Sequence, residues 1–264
     1  MKILETIRQH KIREVERRKS LYPVKLLENS IFFETPCVSL KKHILKSPQN
    51  GIIAEFKRKS PSKGDINKYA DIRTVSSGYM QAGASALSVL TDSQFFGAKD
   101  DDLTLARTLN YCPILRKDFI IDAYQIIESK AMGADAILLI AKLLPAKTIK
   151  EFTLLAHDLG LEVLLETNTE AEILDNYDTT ADLVGINNRD LNTFEVTIAN
   201  SIRLAGLLPA STIKIAESGI DNAATIKDLR NNGFAGFLIG EYFMKSSDPA
   251  AKCAGLIALL GHEN

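Results

Sequence analysis

One junction recurs along this chain: a helical stretch reaches a Gly or another small residue, and a short apolar run rich in β-formers follows at once. It reads "AGASALSVL" from Ala82, "MGADAILLI" from Met132, "LGLEVLLE" from Leu159, "TADLVGINN" from Thr180 and "NGFAGFLIG" from Asn232. A helix ends readily on a left-handed residue, a conformation that Gly adopts without steric cost, so each junction marks a helix handing over to a strand. The runs at Gly51–Lys57, Pro113–Lys117 and Thr212–Glu217 bring the predicted strands to eight, at about 52–57, 86–91, 113–117, 136–141, 162–167, 183–188, 212–217 and 236–240. The intervals and the final segment carry helical stretches such as "DIRTVSSGYMQAG", "AYQIIESKAMG", "AKTIKEFTLLAHDLG" and "NAATIKDLRNNG". Eight βα units predict an α/β protein built as a (β/α)8 TIM barrel rather than a doubly wound sheet, which more often uses about five or six strands. No G-x-G-x-x-G follows the first strand, which also counts against a dinucleotide fold. The expected organisation is a single-domain barrel over 51–264 with residues 1–50 as a helical extension.

The 264 residues suit one such barrel, and a net charge of -1 with 25% charged residues describes an ordinary soluble chain rather than a nucleic-acid binder. Cys37, Cys112 and Cys253 are far apart and form no C-x-x-C, and His10, His43, His157 and His262 share no H-x-x-x-H spacing. Neither a disulfide framework nor a metal site is expected, and a reducing cytoplasm fits best. The first segment, "MKILETIRQHKIREVERRKS", lacks the continuous apolar stretch of a signal peptide, and no later segment reads as a membrane span. Its basic residues Lys2, Arg8, Lys11, Arg13, Arg17, Arg18 and Lys19 alternate with Glu5, Glu14 and Glu16, without aromatic stacking partners, and read as the solvated face of an amphipathic helix.

The strand ends carry the chemistry. In a parallel barrel, side chains alternate between the interior and the helix layer, and active sites sit at the carboxyl ends of the strands. The first strand ends with Glu55 and Lys57 on one face, the third with Lys117, the fifth with Glu166, the sixth with Asn187 and then Arg189, and the seventh with Glu217 beside Ser218. Three cations (Lys57, Lys117, Arg189) and three anions (Glu55, Glu166, Glu217) would then ring one cavity. Buried charge is costly unless compensated, so such a ring points to a charged substrate rather than to stability. Ser218–Gly219 after the seventh strand and Gly240 after the eighth, in "GFLIGEYFMKSSDPA", match the phosphate site that barrels often build from their last two loops. The polar, glycine-containing loop "KRKSPSKGD" after the first strand reads as a mobile lid bearing Arg58 and Lys59.

In order and spacing, "IIAEFKRKSPSKG", "PILRKDFIIDAYQI", "VGINNRDL", "IAESGI" and "LIGEYFM" resemble the strand-end motifs of the indole-3-glycerol phosphate synthase family of tryptophan biosynthesis. The resemblance covers essentially the whole chain and implies that the amino-terminal extension packs over the barrel mouth. It also implies conversion of 1-(o-carboxyphenylamino)-1-deoxyribulose 5-phosphate into indole-3-glycerol phosphate, with release of carbon dioxide and water and with no metal or organic cofactor. Carried over by position, Lys117 matches the general acid for the ketone oxygen and Glu166 the general base of the dehydration. Lys57 matches the lysine that binds the substrate's anionic groups and assists loss of the hydroxyl, with Glu55 as its paired carboxylate. Asn187, Arg189, Glu217 and Ser218 match polar residues that orient the carboxylate and hydroxyls, and Ser60 a further substrate contact. Gly219, Gly240 and Glu241 match the phosphate cradle, while Phe96 and Leu138 match apolar positions that hold the anthranilate ring.

Two positions depart from the family pattern: Ala123 stands where a proline is common, and Ala98 where a glycine is common. The expected partner is a small-molecule substrate, with no nucleic acid, membrane or obligatory protein partner. Two other readings compete. A phosphoribosylanthranilate isomerase would place Cys and Asp where this chain has Glu55-x-Lys57 and Asn187-x-Arg189. A non-catalytic sugar-phosphate-binding barrel could keep the glycine cradle but has no need of Lys57, Lys117 and Glu166 together.

Overall fold

The computed structural model describes residues 2–46, 50–178, 180–190 and 195–261, without the Lys2 side chain; Leu191 of "VGINNRDL" and His262 lie outside the described residues. Eight parallel strands close into a barrel. They are β1 (Ile52–Phe56), β4 (Ala86–Leu90), β5 (Ile114–Lys117), β6 (Ala136–Ile140), β7 (Glu162–Thr167), β8 (Leu183–Asn187), β9 (Lys214–Glu217) and β10 (Phe234–Ile239), and β1 pairs with both β4 and β10. The helices that follow them are α4 (Ile72–Gln81), α5 (Ser93–Phe96), α6 (Asp102–Leu109), α7 (Ala123–Met132), α8 (Ala146–Asp158), α9 (Glu170–Asp175), α10 (Ile198–Ala205), α11 (Ala223–Asn231), α12 (Glu241–Met244) and α13 (Pro249–Gly261).

Each strand lies within about two residues of its predicted position. The seventh starts later, at Lys214, and the eighth earlier, at Phe234, where the pairing with β9 shifts register between Phe234 and Gly236. Four of the junction motifs carry a left-handed Gly, at Gly83, Gly133, Gly160 and Gly233. The fifth, which has no Gly there, uses Thr180 at φ 57. The Ala at position 123 opens α7 behind a capping box, in which Asp122 accepts from the backbone and Gln125 reaches back.

The "KRKSPSKGD" loop is more ordered than the sequence suggests. It forms a small antiparallel ladder, β2 (Lys59–Ser60) with β3 (Gly64–Asp65). Arg58 is buried at its base, donates to both carboxylate oxygens of Asp102, at 2.5 and 2.9 Å, and lies over the Phe56 ring. Arg58 therefore anchors this segment rather than moving with a lid.

The amino-terminal helices run from one end of the barrel to the other. In α1 (Lys2–Leu21), Ile3, Leu4 and Ile7 border the strand-end cavity. In α2 (Val24–Glu28), contacts are to α7, and α3 (Leu40–Lys46) closes the opposite end, where Ile44 approaches Gly236. One assignment changes: Lys11, read as part of a solvated basic face, is fully buried, because it lies on the stripe of Ile3, Leu4, Ile7 and Val15 that faces the barrel. No helix among the described residues is long and apolar enough to cross a membrane.

Candidate active site

Strand alternation sends Glu55 and Lys117 into the barrel, together with Glu166, Asn187 and Glu217, and the strand ends open on a cavity of about 580 Å³. Every site residue expected from the sequence borders this cavity: Glu55, Lys57, Ser60, Phe96, Lys117 and Leu138 on one side, and Glu166, Asn187, Arg189, Glu217, Ser218, Gly219, Gly240 and Glu241 on the other.

Lys117 is its electrostatic centre. The ammonium is hydrogen-bonded to Glu217 Oε2, with Glu166 Oε2 3.7 Å away and Glu55 Oε2 4.0 Å away. Lys57 Nζ sits 2.6 Å from Glu55 Oε1, so Glu55 bridges the two lysines. Asn187 donates to Glu166 Oε1 at 3.2 Å, and its own Oδ1 accepts from the Arg189 backbone at 3.0 Å. Arg189 then pairs with Glu241, which also holds Lys245.

These contacts set the protonation states. Burial by itself would strip the proton from Lys117, but Glu217, Glu166 and Glu55 outweigh it and hold the amine well above the usual lysine value. Burial also raises Glu55, yet Lys57 and Lys117 more than reverse this and leave its carboxyl below the ordinary value. Glu217 goes the other way: burial, helped by Glu166 and Glu55, pushes it up to about 7 against the pull of Lys117. Its second oxygen, Oε1, has no hydrogen-bond partner among the described residues.

Three glycines make room for this arrangement. A Cβ on Gly185 would lie 2.2 Å from Glu217 Oε1, and one on Gly240 would lie 2.3 Å from Glu55 Oε1. Gly240 thus serves the carboxylates as well as opening α12, whose first backbone N–H groups have no carbonyl of their own helix to bond. Gly219 needs both its left-handed φ of 69 and its missing side chain, since a Cβ would strike Val196 at 2.2 Å. Ser218 is left-handed too, at φ 68, a strained state for a residue with a Cβ.

The apolar side of the cavity contains residues that sequence reasoning missed. Phe119 faces Phe96 with ring centroids 5.9 Å apart, and α1 supplies Ile3, Leu4 and Ile7. Phe119 lies two residues beyond Lys117, a visible signal; the α1 contacts depend on tertiary packing. His10, Glu14 and Asp92 bring potential metal-ligand atoms within 4.8 Å of one another, but the Lys11 ammonium already lies 3.0 Å from Asp92 and 3.1 Å from Glu14.

Residues 4–256 match the indole-3-glycerol phosphate synthase family. The chain is 48% identical over 247 residues to the indole-3-glycerol phosphate synthase of Bacteroides thetaiotaomicron, covering 94% of each protein. It is 38% identical over 257 residues to that of Carboxydothermus hydrogenoformans, covering 96% of this chain and 97% of the relative. Among solved structures, the tryptophan synthase alpha-subunit of Pyrococcus furiosus superposes with a TM-score of 0.58 at 16% identity, covering 80% of this chain and 97% of that one, a likeness of fold.

Proposed function

The chain belongs to the indole-3-glycerol phosphate synthase family, and from that premise we propose how its own residues convert 1-(o-carboxyphenylamino)-1-deoxyribulose 5-phosphate into indole-3-glycerol phosphate, carbon dioxide and water. The protein acts on a small molecule as a carboxy-lyase of tryptophan biosynthesis. The observation that carries the assignment of roles is the Lys117 ammonium held among Glu217, Glu166 and Glu55 inside the cavity.

Lys117 is the general acid. As the ring carbon bearing the carboxylate attacks the ketone carbon, negative charge gathers on the ketone oxygen, and a protonated amine beside it supplies a proton and a compensating charge. Loss of carbon dioxide follows. Lys57 assists departure of the resulting hydroxyl as water, and Glu166, oriented by Asn187, takes the proton whose loss completes the dehydration. Glu55 pairs with Lys57 and helps keep Lys117 charged, and Glu217 with Arg189 and Ser218 orients the substrate's carboxylate and hydroxyls.

Backbone N–H groups of Gly219, Gly240 and Glu241 receive the phosphate, with Lys57 adding charge. The anthranilate ring lies between Phe96 and Leu138, and Ser60 contacts the substrate from the β2 side. With its carboxyl raised to about 7, Glu217 carries only part of a negative charge near neutral pH, which lessens repulsion of a substrate carrying a carboxylate and a phosphate. The three cysteines are free, as suits a reducing cytoplasm, and the reaction calls for no obligatory protein partner.

The test is indole fluorescence formed from the carboxyphenylamino-deoxyribulose phosphate, with the parent beside Lys117→Ala and a chelator present. Turnover by the parent and near-complete loss in the variant are expected. A folded parent that binds the compound without turnover would favour a sugar-phosphate-binding barrel instead.

A further inference from the structure

Lys11 is a fully buried charge that the proposed mechanism does not use. Its side chain has no exposure, and its ammonium lies 2.7 Å from Asp118 Oδ1, 3.0 Å from Asp92 Oδ2 and 3.1 Å from Glu14 Oε1. Together these carboxylates overcome the cost of burial and keep the amine charged. Asp92 and Asp118 are the first carboxylates beyond β4 and β5, and each accepts a hydrogen bond from the backbone of the turn that follows it. Asp92 accepts from Phe95 N at 2.6 Å, capping α5, whose last residue is Phe96. Asp118 accepts from Phe119 N at 2.8 Å through the same oxygen that Lys11 contacts, and from Thr91 Oγ1 at 2.6 Å through the other. Phe96 and Phe119 are the facing rings of the apolar side of the cavity. Further along α1 on the same face, four and eight residues before Lys11, Ile7 and Ile3 border that cavity as well.

We propose that Lys11 is a positioning residue for the aromatic half of the substrate: its ammonium clasps the β4 and β5 end-turns together, setting the separation of Phe96 and Phe119 and pinning Ile3 and Ile7 over them. This rests on the synthase reading and adds to it a residue that touches no reacting atom. The clasp bears on the ring pocket rather than on Lys117 itself, whose partners are Glu217, Glu166 and Glu55 on the barrel's inner side. A loosened clasp therefore weakens ring binding and leaves the acid–base groups in place.

The experiment compares the parent with Lys11→Met, Asp92→Asn and Tyr124→Phe. Steady-state turnover is measured, with anthranilate and ribulose 5-phosphate each titrated as a competitive inhibitor. In Lys11→Met, the KM and the anthranilate Ki rise together by about tenfold or more, while kcat and the ribulose 5-phosphate Ki stay within about threefold. Asp92→Asn keeps the α5 cap and removes one partner of Lys11, so it shows the same selective change at smaller size; it carries the test if Lys11→Met does not fold.

Tyr124→Phe removes the hydroxyl that donates to the carbonyls of Arg18 and Tyr22 at the far end of α1, and leaves anthranilate binding unchanged. An equal loss for both inhibitors, a fall in kcat alone, or an anthranilate effect matched by Tyr124→Phe would overturn the proposal. Absence of turnover in the parent would instead overturn the synthase reading.

Discussion

Replacing Glu217 by Gln should flatten the pH dependence of stability between about 4.5 and 7. In the folded protein, burial holds the Glu217 carboxyl at about 7, against 4.5 for an unperturbed Glu. Between those values the folded state binds a proton that the unfolded state has already released, so stability falls as pH rises through the window. At 1.36 kcal/mol per unit, the loss reaches about 3 kcal/mol as an upper figure. The other shifted members of the cluster act elsewhere. The contribution of Lys117, whose folded value is raised, is fully present below its unfolded value of 10.5 and lost only above it. That of Glu55, whose folded value is lowered, is present above 4.5 and lost only as pH falls below it. Urea unfolding of parent and Glu217→Gln at about pH 5, 6, 7 and 8 isolates the effect, because titrations common to both proteins cancel in the difference. The parent's stability relative to the variant should fall by up to about 3 kcal/mol across this series. A constant difference, or one that grows with pH, would refute the claim that burial outweighs Lys117 at this carboxyl.

Other substitutions test the packing of the same site. Gly185→Ala places a Cβ against Glu217 Oε1 at 2.2 Å, and should cut kcat/KM roughly 100-fold by turning that carboxylate away from Lys117. Its stability cost, read by urea unfolding, should be about 1–3 kcal/mol, as for an overpacked core position. Asp102→Ala leaves the Arg58 guanidinium, with 6% side-chain exposure, without its bidentate partner, and should cost about 3–5 kcal/mol by urea unfolding. A loss below about 1 kcal/mol would mean that Arg58 finds water or another acceptor and does not anchor the β2–β3 segment.

The barrel was legible in the sequence because its signals are local. Each strand is announced by a helix stop and an apolar run within a few residues, and even Thr180 occupies the turn position that Gly fills at four other junctions. The inward groups were legible for the same reason: two-residue spacing puts Glu55 and Lys57 on one face, whatever the rest of the chain does. What stayed hidden depends on partners distant in sequence. Arg58 read as a loop cation because its acceptor, Asp102, lies 44 residues away. Lys11 read as solvated because Asp92 and Asp118 belong to strand ends whose nearness to α1 no local pattern encodes. The glycines at 185 and 240 gave no hint that the groups they accommodate are carboxylates from neighbouring strands.

Charge at a strand end is of two kinds, and the parity of the strand separates them. Along β1 and just beyond, Glu55 and Lys57 face the cavity, whereas Phe56 and Arg58 stack together on the other side of the wall. On β5, Lys117 faces inward to the carboxylates, while Arg116 bonds outward to Glu128 and Asp118, and Asp118 passes the connection to Lys11. The outward groups are matched to protein partners and so fix positions. The inward groups are matched to one another only in part, since Glu217 Oε1 has no hydrogen-bond partner among the described residues and Glu217 is poised near neutrality. An ammonium buried among three carboxylates can give up its proton and regain it without leaving its place, provided that the wall behind it does not move. The outward pair of Arg116 with Glu128, directly behind Lys117 on the strand, supplies that rigidity.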